Sequence, residues 1–96
     1  MYAIAFDLLT KETSKHHPKD TKQAYRDIAS ILKKYDFKWV QGSLYVSDNE
    51  DMAKLYDAID ELKHLSWFPH SVKDIRAFKV EQWSDFTPSV KRMIAE

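Results

Sequence analysis

Phe37-Lys38-Trp39-Val40-Gln41-Gly42-Ser43-Leu44-Tyr45-Val46 is the stretch that decides the fold. Two short apolar runs, Phe37-Trp39-Val40 and Leu44-Tyr45-Val46, flank Gln41-Gly42-Ser43, which reads as a tight turn, so the segment predicts a β-hairpin. Gly42 is the only glycine in the chain. A lone glycine in a turn marks backbone that needs positive φ or close approach. A helix is predicted on each side of the hairpin. Before it, Asp20 offers an N-cap and Gln23 completes a capping-box pattern. Tyr25, Ile28, Ile31, Leu32 and Tyr35 follow at helical spacing, which predicts a helix over about residues 21–35. After the hairpin, Ser47 caps a second helix with Glu50 at the capping-box position, and Met52, Leu55, Tyr56, Ile59 and Leu62 form its apolar stripe. Glu50, Asp51, Asp57, Asp60 and Glu61 leave its outer face acidic, and Trp67-Phe68-Pro69 stops it.

The flanks complete the pattern. Tyr2, Ile4, Phe6 and Leu8 alternate with Ala3, Ala5 and Asp7, the period of a strand. Residues 10–19, with Lys15-His16-His17-Pro18, read as a polar loop. Lys73 to Gln82 predicts a fourth strand, and Thr87-Pro88 the start of a short last helix. The order β-α-β-β-α-β is the ferredoxin-like α+β pattern: an antiparallel sheet with two helices on one face, here with a short C-terminal helix added. Right-handed crossovers give the sheet order 4-1-3-2. The fourth strand carries a conflict, because Ile75 and Ala77 point to one face while Phe78 and Val80 point to the other. Either both faces are buried or a bulge shifts the register.

Length and composition bound the function. The 96 residues predict one domain spanning 1–96. Fifteen basic and fifteen acidic residues cancel, which excludes a strongly basic nucleic-acid binder and an acidic disordered tail. The distribution is uneven: residues 1–40 hold eight Lys/Arg against five Asp/Glu, and residues 41–70 hold two against six. With no cysteine there is no disulfide framework, thiolate zinc site or thiol nucleophile. The apolar run Met1 to Phe6 is too short for a signal peptide or a membrane span, so a cytoplasmic location is expected.

The topology also predicts where chemistry sits. The C-terminal end of the first strand lies beside the N-terminal ends of the third and fourth, because both neighbours run antiparallel to it. Asp7, Ser43 and Asp74 are therefore expected together at one end of the sheet, with Lys73 and Arg76 nearby. The start of the first helix opens at the same end and offers N–H groups to an anion. Such a set accommodates a phosphodiester. Ile4 and Phe6 seek the helix-covered core, which places Ala3, Ala5 and Asp7 on the other face, with Tyr45 beside them. The small alanines would let a second sheet approach, and a symmetric dimer would bring two copies of Asp7 together, able to share a proton or hold a divalent metal. His16 and His17 read as solvated loop residues, either one a candidate acid or base. His64 and His70 read as favourable charge at a helix C-terminus. Trp39, Trp67 and Trp83 read as core or interface residues.

Three segments, Met1-Tyr2-Ala3-Ile4-Ala5-Phe6-Asp7-Leu8, Gln41-Gly42-Ser43-Leu44-Tyr45 and Ser71-Val72-Lys73-Asp74-Ile75-Arg76-Ala77-Phe78-Lys79-Val80, resemble the virulence-associated protein D (VapD) family, as does Trp83-Ser84-Asp85-Phe86-Thr87. Lys73 stands where the family pattern expects arginine, which keeps the charge but loses bidentate phosphate recognition. The resemblance implies a small endoribonuclease with the ferredoxin-like fold of CRISPR-adaptation nucleases, linked to toxin–antitoxin behaviour. It implies a homodimer acting on RNA, in some cases with a small antitoxin protein as partner. The family's functional residues fall on Asp7, Ser43 and Asp74. Lys73 and Arg76 would bind substrate, and Asp7 would hold a divalent metal such as Mg²⁺ if one is used. The rival expectation is a non-catalytic scaffold of the same fold that binds nucleic acid or protein.

Overall fold

A computed structural model of the chain describes residues 1–95. The elements in order are β1 (Tyr2–Leu8), α1 (Thr10–His16), α2 (Thr21–Lys34), β2 (Lys38–Gln41), β3 (Leu44–Ser47), α3 (Met52–Lys63), α4 (Phe68–Ser71), β4 (Val72–Lys79) and α5 (Thr87–Lys91), the last running into a 3-10 turn at Arg92–Ala95. The strands form one sheet, ordered β2-β3-β1-β4, with antiparallel neighbours throughout. This is the ferredoxin-like arrangement and the expected strand order.

Each main helix buries one stripe. Asp20 starts α2, its carboxylate accepting from the Gln23 N–H at 2.7 Å. The helix then buries Ala24, Ile28 and Leu32, spaced by four so that they share a face. α3 buries Leu55, Ala58 and Leu62. Both stripes meet Ile4 and Phe6 of β1, together with Phe37, Tyr45, Trp67 and Phe68. Full burial of one such large apolar side chain is worth about 1.5–3 kcal/mol, so this one-sided core holds the layers together.

Several local expectations are corrected by tertiary contacts. Residues 10–16 form a helix, not a loop. Thr13 is fully buried, and its hydroxyl donates to the Leu9 carbonyl at 2.8 Å. His17 is buried as well, with its side chain 2% exposed. Its Nε2 lies 2.7 Å from Asp27 Oδ2, its Nδ1 accepts from the Lys19 N–H at 3.0 Å, and its ring meets Trp67 edge-on. A buried polar ring tolerates this position because both of its nitrogens are satisfied. His16 stacks on His70 with centroids 4.2 Å apart, so His70 serves the α1–α4 contact and does not cap α3. At the start of α3 the cap is Asp51, whose carboxylate accepts from the Ala53 N–H at 2.9 Å. Ser47 belongs to β3 and accepts instead from the Asn49 N–H.

Register decides which face each strand residue takes. Tyr45 sits opposite Ile4, so it shares the helix-covered face and not the face of Ala3 and Asp7. It stacks on Phe6, and burial pushes its phenol pKa up. β4 is shorter than expected and keeps an unbroken register from Asp74 to Lys79, which sends Ile75 and Ala77 to the helix-covered face and Phe78 to the bare face. Its bulge lies earlier, before Asp74. Asp7 faces Asp74, but Leu8 faces Val72, leaving Lys73 unpaired. Val72 and Ile75 thereby both pack against the core, while Phe78 is 46% exposed. Val80 lies past the strand end and donates to the Met1 carbonyl at 2.8 Å.

The segment after β4 returns to the far edge of the sheet, where Trp83 to Thr87 face Val40 and Gln41. β4 and β2 are the two edge strands, and the helices occupy one side. The return path therefore crosses the bare side, where Ala3 and Val46 are buried. The alanine face expected to receive a second sheet is thus covered in part by the chain's own tail. Of the tryptophans only Trp67 is core; Trp39 and Trp83 are exposed.

Candidate active site

Alternation along β1 sends Phe6 into the core and Asp7 out onto the bare face. The β1–β4 register sets Asp74 directly opposite Asp7. Ser43 arrives from the hairpin turn, whose Gly42 adopts φ 49° in the left-handed region. Two contacts fix that turn to the sheet. The Phe6 N–H donates to the Ser43 carbonyl at 3.2 Å, and the Trp39 Nε1–H donates to the Gly42 carbonyl at 2.8 Å. Asp7, Ser43 and Asp74 consequently line one open cleft of about 590 Å³, with Gln41, Gly42 and Leu44. The trio expected from topology is brought together.

Its electrostatics are unbalanced. Two carboxylates directly opposed on an antiparallel pair repel one another. Asp74 is partly compensated by Arg76, whose Nε lies 3.0 Å from Oδ2 and 3.3 Å from Oδ1. Arg76 shares the bare face, opposite Ala5, and its side chain is 77% exposed, so the rest of the guanidinium faces water. Lys73 is the exposed bulge residue. Neither cation lines the cleft.

The expected helix start, at residues 20–23, does not line this cleft. α1 intervenes after β1, and Asp20 already closes the start of α2 with its own carboxylate. His17, a candidate acid or base, is consumed by Asp27 and Lys19 in the interior. Gln41 was not anticipated as a site residue. The signal for it is its place beside the only glycine, because a turn that approaches β1 carries its neighbours into the same cleft.

Among the described residues no group of three or more His, Cys, Asp or Glu is placed to hold a metal ion. Asp7 and Asp74 alone offer two carboxylates. That set fits a hard ion such as Mg²⁺, which keeps several waters and takes one or two carboxylates.

Comparison with known proteins adds a second line of support. The family model described as CRISPR associated protein Cas2 matches residues 1–87. The Endoribonuclease VapD homolog of Neisseria gonorrhoeae is 60% identical over 91 residues, covering 95% of this chain and 99% of that protein. Endoribonuclease VapD of Haemophilus influenzae is 55% identical over 91 residues, covering 95% and 99%. Endoribonuclease VapD of Helicobacter pylori is 45% identical over 93 residues, again covering 95% and 99%.

Proposed function

The chain belongs to the CRISPR-associated Cas2 family, among its VapD members, and from that premise we propose that it is an endoribonuclease whose cutting centre is the cleft of Asp7, Ser43 and Asp74. The observation that carries the assignment is the register, which sets the two carboxylates face to face beside the Ser43 turn. In this reading Asp7 moves the proton during attack on the phosphodiester. The Ser43 hydroxyl donates to a non-bridging phosphate oxygen, and Asp74 holds Arg76 close, so that the guanidinium offsets charge developing on the phosphate. Lys73 adds a second cation one residue away. If a divalent cation takes part, Asp7 and Asp74 would hold it, and it would supply Lewis-acid stabilisation of the phosphoryl oxygens.

The tail supports the homodimer expectation. Met93 and Ile94 at the end of the tail are 70% and 83% exposed, apolar surface that a second copy would cover. No helix among the described residues is long and apolar enough to cross a membrane, and we place the protein in the cytoplasm. There it would act as the toxin component of a toxin–antitoxin pair, restrained by a small protein partner.

Purified chain and Asp7→Asn incubated with labelled RNA and labelled DNA, with and without chelator, test the assignment. RNA cleavage by the parent and none by a folded Asp7→Asn is expected; full activity in the variant removes Asp7 from the chemistry. A parent that binds RNA without turnover favours the scaffold reading, to which zero net charge also points. A 2′,3′-cyclic phosphate on the product identifies the RNA's own 2′-hydroxyl as nucleophile, and a 5′-phosphate identifies water.

A further inference from the structure

A second cleft, of about 560 Å³, lies between the edge strand β2 and the returning tail. Trp83, Phe86 and Lys91 contribute to its lining, and Gln41 lines both this cleft and the candidate cutting centre. The two are therefore neighbours along the Gly42 end of the sheet. Trp83 is 45% and Phe86 71% exposed. Holding large aromatic faces in water is unfavourable, and neither ring belongs to the core cluster. The loop that carries them is braced: the Asp85 carboxylate accepts from the Thr87 N–H at 2.9 Å, a contact that lowers its pKa. That carboxylate is engaged within its own turn, and Lys91 is the cleft's cation.

Aromatic faces next to a phosphate-handling site, with a lysine in the same cleft, are the chemistry that receives unstacked bases of a single strand. We infer that Trp83 and Phe86 form a stacking subsite for a nucleobase flanking the scissile phosphate, and that Lys91 contacts the adjoining phosphate. The subsite selects single-stranded over duplex RNA, because a paired base cannot present both faces to protein rings. This inference rests on the proposed cutting centre for its position, but its binding test does not depend on cleavage.

The test uses Asp7→Asn protein, so that substrate survives, and follows the anisotropy of a short fluorescein-labelled single-stranded RNA. Replacing Trp83 with Leu keeps apolar volume and removes most of the π face. Affinity is expected to fall about ten-fold, within the range known for base–aromatic stacking, and Trp83→Phe should restore most of it. A series of RNAs each carrying one abasic position gives the decisive readout. One position should cost the Trp83 protein about ten-fold and the Trp83→Leu protein almost nothing, the coupling expected of two groups in contact. Equal binding by Trp83→Leu, or abasic effects that persist unchanged in it, overturns the subsite. So does dissociation of a dimer by Trp83→Leu in sedimentation, which would give the cleft to a second copy. Unaltered binding by Trp83→Leu refutes the subsite alone; cleavage by Asp7→Asn refutes the cutting centre alone.

Discussion

Removing the charge of Asp7 should abolish catalysis and stabilise the fold. The two carboxylates are directly opposed across β1 and β4, a relation that puts Cβ atoms about 4.5–5.5 Å apart. Unit charges about 5 Å apart repel by about 0.8 kcal/mol in bulk water and by about 3 kcal/mol at an effective dielectric of 20. Asp74 is 47% exposed and engaged by Arg76, which favours the low end. We expect Asp7→Asn to gain about 0.5–1 kcal/mol, in line with measured like-charge pairs across strands. For a domain of this size that raises Tm by about 2–8 °C. Thermal unfolding followed by circular dichroism measures it. The gain should be largest at low salt and shrink towards 1 M, where the screening length is about 3 Å. Asp74→Asn should gain less, because it also frees Arg76, and the double variant should gain no more than Asp7→Asn alone. A lowered Tm in Asp7→Asn, a gain indifferent to salt, or additive gains in the double variant would refute the opposed-charge reasoning.

Four further outcomes are expected. His17→Ala leaves a cavity beside Trp67 and strips the Lys19 N–H of its acceptor, costing about 2–4 kcal/mol in urea unfolding; a cost below about 0.5 kcal/mol would contradict its buried role. Asp27, hydrogen-bonded by His17 and Gln23, has its pKa lowered even though burial works the other way. Its contribution to stability is accordingly present above the ordinary carboxylate range and lost as pH falls through its depressed value; His17→Ala should flatten the acid limb of a Tm–pH profile. Gly42 has φ +49° and open space around a built Cβ, so Gly42→Ala pays only backbone strain, about 1 kcal/mol, and Gly42→Asn less. If Asp7 and Asp74 hold Mg²⁺, magnesium at about 100 times its Kd stabilises the parent by about 2.7 kcal/mol and leaves Asp7→Asn unmoved; no Tm shift in the parent would remove the ion from this site.

The chain's repeats made the layers legible. Alternation in residues 2–8 and three- and four-residue spacing in α2 and α3 point side chains in directions set by backbone geometry alone. The order of those elements, with the hairpin between two helices, then restricted the topology to one strand order. That order was enough to anticipate Asp7, Ser43 and Asp74 at one end of the sheet, because antiparallel neighbours must meet there. Other features depended on partners far away in the chain. Residues 10–17 carry no apolar period, yet they fold because α1 packs on α4 and α2, with Trp67 and Asp27 supplying contacts for His17 and His70 for His16. The face of Tyr45 and the bulge at Lys73 were settled by pairing register, which reverses every side chain when it slips by one residue. The aromatic cleft belongs to the same class, since it joins the tail to the opposite edge of the sheet. Local sequence determines where a side chain points along its own element; only packing decides which distant group it meets, because that choice is made by the burial and hydrogen bonding of the whole chain at once.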